Sequence, residues 1–131
     1  MNGNELEAKM IRRMFTNCFV RDNFHDTKIF RLEKIKNQFV QEKFRTEVSL
    51  MARKYPTKAP SQLLKLLFHG SGTIDPELIC RSEEGLDIRQ SEQASYGKGI
   101  YFSDCASYTR RFAYAVPKHE RNFEFDASLN V

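Results

Sequence analysis

Apolar residues recur along this chain with two different periods, and the places where the period changes mark its elements. Leu6, Met10, Ile11, Met14, Phe15 and Cys18 keep the three-and-four spacing of a single helix face. With Asn4 and Glu7 set as a capping box, that spacing predicts an amphipathic helix over residues 5–19. Asp22 to Asp26 is a polar break. From Lys28 to Lys36 the period shortens to two, with Phe30 and Leu32 on one side and Ile29 and Ile35 on the other, which predicts a strand. Val40, Phe44, Val48, Met51 and Tyr55 return to helical spacing from Asn37 until Pro56 ends it.

Pro56 to Ser61 reads as a linker, and Leu63 to Phe68 as a buried strand too short for an independent helix. Asp75-Pro76-Glu77 is a helix start with a capping Asp, a Pro at the first helical position and an acid in the first turn, and Gly85 is the matching stop. Leu86 to Lys98 has no period and reads as a loop. It leads to a short apolar strand, Ile100-Tyr101-Phe102. Ser103 or Asp104 then caps a helix running from Ala106 to about Tyr114, ahead of Pro117. Finally Phe123, Phe125, Ala127, Leu129 and Val131 alternate with polar residues in a half-buried strand. A strand as the last element needs neighbours, so the sequence reads as one partial domain over residues 1–131, of the α+β class.

Composition narrows the function classes. The 131 residues, 40% of them hydrophobic with eleven Phe and five Tyr, suit a single modest core. The longest apolar run is broken by Lys65, and no hydrophobic signal region opens the chain, so the cytosol or nucleus is the expected compartment and no membrane partner is expected. Cys18, Cys80 and Cys105 are widely spaced and odd in number, which supports neither a disulfide framework nor a metal site. The net charge of +4 is uneven: residues 1–60 carry 13 Lys/Arg against 7 Asp/Glu, residues 61–131 carry 8 against 10. The charges alternate in sign along amphipathic segments, the pattern of solvated helix faces, so direct nucleic-acid binding is not expected.

The candidate chemistry lies in the less basic half. His69-Gly70-Ser71 ends an apolar run, Gly97-Lys98-Gly99-Ile100-Tyr101-Phe102 follows a loop, and Ala106-Ser107-Tyr108-Thr109 comes next. A glycine lets a ligand approach the backbone, whose N–H and C=O match a planar amide that both donates and accepts. A tyrosine on rigid structure offers a face to a flat ring, and a Ser or Thr hydroxyl satisfies the remaining amide atom. Nicotinamide has that combination. There is no G-x-G-x-x-G opening a helix, no G-x-x-x-x-G-K-[ST] and no G-x-S-x-G, so dinucleotide-fold, P-loop and hydrolase-elbow chemistry are set aside. Singly, each motif also has a plain structural reading, as a strand-end histidine, a turn or a core aromatic.

Together, Leu66-Leu67-Phe68-His69-Gly70-Ser71, Cys80 with Glu84-Gly85-Leu86-Asp87-Ile88-Arg89, Tyr96-Gly97-Lys98-Gly99-Ile100-Tyr101-Phe102 and Ala106-Ser107-Tyr108-Thr109 resemble the catalytic domain of the poly(ADP-ribose) polymerase-like ADP-ribosyltransferases, nearest the mono-ADP-ribosylating branch. The resemblance implies an ADP-ribosyltransferase-like α+β fold with N-terminal helices and a split antiparallel sheet whose C-terminal strands are missing. It implies NAD as co-substrate and transfer of ADP-ribose to an acceptor, a protein, with release of nicotinamide. His69 and Tyr101 are the implied catalytic residues. His69, Gly70, Ser71, Tyr101, Thr109 and Tyr114 are the implied NAD-binding set. His69 is to bond a ribose hydroxyl, Gly70 to hold the carboxamide, Thr109 to stand where the family places a Ser, and Tyr114, or Phe112 in another register, to stack the nicotinamide ring. The family's third motif position would follow the last residue, and Glu124 is not its substitute. The alternatives are an NAD-binding but inactive domain and an interaction module.

Overall fold

A computed structural model describes residues 3–91, 93–94 and 96–116. Its first element is the helix α1, Gly3–Arg21, two residues longer at each end than the apolar spacing predicts. Asn23 closes it with a left-handed φ of 62°, a region that Asn enters at lower cost than most residues. The Phe24 N–H returns to the Phe19 carbonyl at 2.8 Å.

The second helix, α2, spans Gln38–Lys54. Asn37 caps it, its Oδ1 accepting from the Val40 N–H at 3.2 Å. The same side chain donates from Nδ2 to the carbonyls of Cys80 and Ser82, at 3.0 and 2.7 Å, so one residue both starts α2 and fastens it to the segment forty residues downstream. Lys43 adds a second tie, donating to the Glu83 carbonyl and pairing with the Glu84 carboxylate. Two short helices follow, α3 at Pro60–Leu63 and α4 at Pro76–Arg81. The latter begins as the Asp-Pro-Glu signature predicts, with Asp75 accepting from the Glu77 N–H at 2.9 Å. It stops at Ser82, before Gly85, whose φ of +67° places it in the left-handed region and whose position against Val40 leaves little room for a side chain.

The stretch expected to be a loop holds more structure. A 3₁₀ turn at Ile88–Gln90 precedes an antiparallel hairpin of β1, Gln93–Ala94, and β2, Gly97–Lys98. The last described helix, α5, is Ala106–Thr109, tightening into a 3₁₀ turn at Arg110–Phe112 instead of running on to Tyr114. Cys105 rather than Ser103 or Asp104 occupies its cap position, while the Ser103 hydroxyl accepts from the Cys105 N–H at 3.0 Å.

Three expected strands do not form ladders among the described residues. Lys28 to Lys36 is irregular, with Phe30 61% exposed, and Ile100-Tyr101-Phe102 is likewise outside any ladder. Leu63 ends α3, and only Phe68 of the following run pairs, in a single antiparallel bridge with Ser103. An alternating pattern sets which faces a strand would show, but the ladder itself requires a neighbour to supply its hydrogen bonds. The strand expected over residues 123–131, with Glu124, lies outside the described residues.

The core forms where α1, the Phe68 segment and α5 meet. Ile11, Phe19, Phe68 and Ala106 are buried together, and Met14, Phe15, Cys18, Leu32 and Leu66 pack against them. Phe15 stacks its ring 4.6 Å from Phe19 and meets Phe68 edge-on at 6.2 Å. No described helix is long and apolar enough to cross a membrane.

Candidate active site

The bridge that buries Phe68 also aligns the two motif segments. Phe68 and Ser103 exchange backbone hydrogen bonds at 2.7 and 2.9 Å, which brings His69 beside Tyr101 and Phe102. The His69 Nδ1 lies 2.8 Å from the Tyr101 carbonyl oxygen. A carbonyl only accepts, so Nδ1 carries the proton of this bond and Nε2 is the ring nitrogen left for a ligand. The Phe102 ring, 5.3 Å away, flanks the imidazole. Tyr101 donates its hydroxyl to the Gly97 carbonyl at 2.6 Å, tying the aromatic to the hairpin.

Gly70 sits against the far wall. A Cβ there would lie 2.6 Å from both the carbonyl carbon and oxygen of Phe112 and 2.8 Å from the Thr109 carbonyl oxygen, backbone atoms that cannot step aside. Only glycine fits. The neighbouring Gly72 N–H donates to that same Phe112 carbonyl at 2.6 Å, so the His69 to Gly72 strip is laced to the end of α5. Among the described residues nothing engages the N–H or C=O of Gly70 itself. Next to it the Ser71 hydroxyl is buried with no hydrogen-bond partner among the described residues, an arrangement that costs about 1–3 kcal/mol unless something else completes it. The Thr109 hydroxyl is satisfied within the helix, donating to the Ala106 carbonyl at 2.8 Å.

Two cavities flank this strip. One, about 410 Å³, is lined by His69, Gly70, Ser71, Tyr101, Thr109 and Phe112. The other, about 420 Å³, shares His69, Gly70, Ser71 and Thr109 but runs toward Phe15, Phe30 and Tyr114. Five of the six binding residues expected from the sequence therefore meet in the first cavity. The sixth, Tyr114, lines only the second, whereas Phe112 lines the first together with Tyr101.

Among the described residues the acid lining the first cavity is Asp87. Its carboxylate is held by Arg89 through Nε and Nη2, at 2.6 to 3.0 Å, and by the Arg89 N–H. The side-chain hydrogen bonds from Arg89, followed by its backbone N–H, keep Asp87 ionised below the usual carboxylate range.

Two features were not readable from spacing. One is the orphaned Ser71 hydroxyl, since burial without a partner is a property of the folded site. The other is a polar cluster behind the site, where Ser107 donates to Asp22 and the Cys105 sulfur lies 3.0 Å from the Ser107 hydroxyl and 2.9 Å from Arg21 Nη2. Its members are more than eighty residues apart in sequence.

Residues 5–128 match the family model of the poly(ADP-ribose) polymerase catalytic domain. The chain is similar to a probable poly(ADP-ribose) polymerase of Dictyostelium discoideum, 32% identical over 100 residues, which cover 72% of this chain and 30% of that protein. The chain thus aligns with under a third of that relative's length. No solved structure matches it significantly.

Proposed function

The chain belongs to the poly(ADP-ribose) polymerase catalytic-domain family, and from that premise we propose that it grips NAD by the nicotinamide end and transfers ADP-ribose to a protein acceptor, releasing nicotinamide. The observation that carries the reading is the single cavity in which His69, Gly70, Ser71, Tyr101 and Thr109 converge. The residues fit a planar aromatic amide. Gly70 offers an unengaged N–H and C=O to the carboxamide, the partnerless Ser71 hydroxyl gains a partner from the ligand, and Tyr101 with Phe112 supplies faces for the ring. Phe112 takes the stacking role in this reading, in preference to Tyr114, because it shares the cavity with Tyr101.

The chemistry asked of these residues is modest in kind and strict in position. Breaking the bond between nicotinamide and ribose builds positive charge on the ribose carbon, and holding the leaving group and sugar fixed lowers the barrier. With Nδ1 committed to the Tyr101 carbonyl, His69 presents Nε2 to accept from a ribose hydroxyl and so orient the sugar.

Calorimetry with nicotinamide and NAD, paired with labelling by radioactive NAD, tests this reading. Wild-type chain is expected to bind nicotinamide, Gly70→Val to lose the affinity at least about tenfold because its side chain forces the Phe112 and Thr109 backbone away from the strip, and His69→Ala to lose labelling while retaining nicotinamide. Undiminished binding by Gly70→Val, or undiminished labelling by His69→Ala, overturns it.

A further inference from the structure

We propose that the second cavity is the seat of this chain's own residues 123–127, added as a strand with Phe123 and Phe125 on its apolar floor and Glu124 and Asp126 toward the cations that line it. The segment lies outside the described residues, while the cavity that receives it does not.

The cavity sets the chemistry of its occupant. It encloses about 420 Å³ over Phe15, Phe68 and Ala106 of the core, and Phe30, 61% exposed, lines it too. Apolar surface of this kind is stabilised by being covered. Lys28, Arg31 and Arg110 line it against one acid, Asp26. Arg31 pairs with Glu33 at 3.3 Å and Arg110 lies over the Phe24 ring at 4.7 Å, while Lys28 has no ion-pair partner among the described residues. The fitting occupant is apolar on one side and acidic on the other. One wall also offers backbone: Ile29, Phe30 and Leu32 make no hydrogen bond from their amides or carbonyls to another described backbone group, and groups in that state are a template for a further strand.

Residues 123–127 have this composition. Phe123, Phe125 and Ala127 alternate with Glu124 and Asp126, so an extended backbone sets rings on one face and carboxylates on the other. The connection has the reach. Ala113, Tyr114 and Ala115 themselves line the cavity, and residues 116–122, which span at most about 25 Å when extended, are enough to leave it, turn and re-enter. A separate chain would lose translational freedom that a tethered segment has already lost, which favours the chain's own residues over a second copy. Because the cavity shares His69, Gly70, Ser71 and Thr109 with the candidate active site, the seated segment backs the strip that faces the ligand.

Hydrogen exchange on the full chain, read peptide by peptide, tests the proposal. Amides of residues 29–35 are expected to exchange at least about tenfold more slowly than in an unstructured chain, to lose that protection in Phe125→Ser and to keep it in Phe125→Leu, with α1 unchanged in both. Reversing the acids, Glu124→Lys with Asp126→Lys, is expected to remove the protection, and adding Lys28→Glu with Arg31→Glu to restore it, a rescue that loss of folding alone does not give. In an equal mixture of light and isotope-labelled chains, a carbodiimide is expected to join Lys28 to Glu124 or Asp126 within one chain. Unprotected amides at 29–35 in the wild type, protection unmoved by Phe125→Ser, charge reversal without rescue, or links between light and labelled chains, the sign of a second copy as occupant, each overturns the proposal.

Discussion

The two long helices carry equally clear apolar stripes and meet different fates. α1 buries Ile11 and Phe19 and lays Met14, Phe15 and Cys18 against the Phe68 segment and α5. α2 buries no residue outright, and Phe39, Phe44 and Leu50 are each 45% or more exposed. What holds α2 is polar: the Asn37 cap reaching the 80 to 82 carbonyls and Lys43 reaching Glu83 and Glu84. Amphipathic spacing therefore predicts that a helix forms, while the partner it finds decides whether its stripe contributes to stability.

Four measurements sharpen or break that contrast. The largest effect is expected at Phe19→Ala in α1, which removes a nearly buried ring from the core and lowers the unfolding free energy by about 3–4 kcal/mol in denaturant titration. A loss under about 1 kcal/mol would mean that α1 is no better seated than α2. Next comes Asn37→Ala, expected to cost about 1–2 kcal/mol as a lost cap and to abolish amide-exchange protection at the first turn of α2 while sparing α1. Phe44→Ser, on the exposed stripe, is expected within about 0.5 kcal/mol of wild type, and a cost near that of Phe19→Ala would erase the distinction.

The smallest effect is a pH dependence at the foot of α1. Hydrogen bonds from Ser107, against the opposing effect of desolvation, lower the Asp22 pKa below its ordinary 3.8. A depressed carboxylate contributes stability that is present above the unfolded value and lost as pH falls through the folded one. The stability difference between wild type and Asp22→Asn is thus expected to be constant from neutral pH down to about 4 and to shrink below it. A difference unchanged at the acid end would show that Asp22 does not titrate in this way.

Legibility followed the range of the interactions. Both long helices and the Asp75-Pro76 start were readable because caps, stops and apolar spacing lie within a few residues of one another. Alternation at 28–36 and 100–102 meets no ladder partner among the described residues, and alone it carries only an extended tendency. The hairpin at Gln93 to Lys98 was under-read because its two-residue strands are too short to show a period. In the site, His69, Gly70 and Tyr101 were legible as motif residues. Which cavity Phe112 and Tyr114 each line was not, because it turns on where α5 tightens into its 3₁₀ turn. The Arg21, Asp22, Cys105 and Ser107 cluster was invisible for a similar reason: no local pattern records a contact across eighty residues.

The single Phe68 to Ser103 rung has one more consequence. In mechanical terms it is a rivet between two struts, one bearing His69 to Ser71 and the other Tyr101, with the His69 imidazole as a washer beside it. A rivet resists pulling apart yet permits twist. The spacing of the two struts is therefore fixed near the joint, and the angle between them is what the joint constrains least.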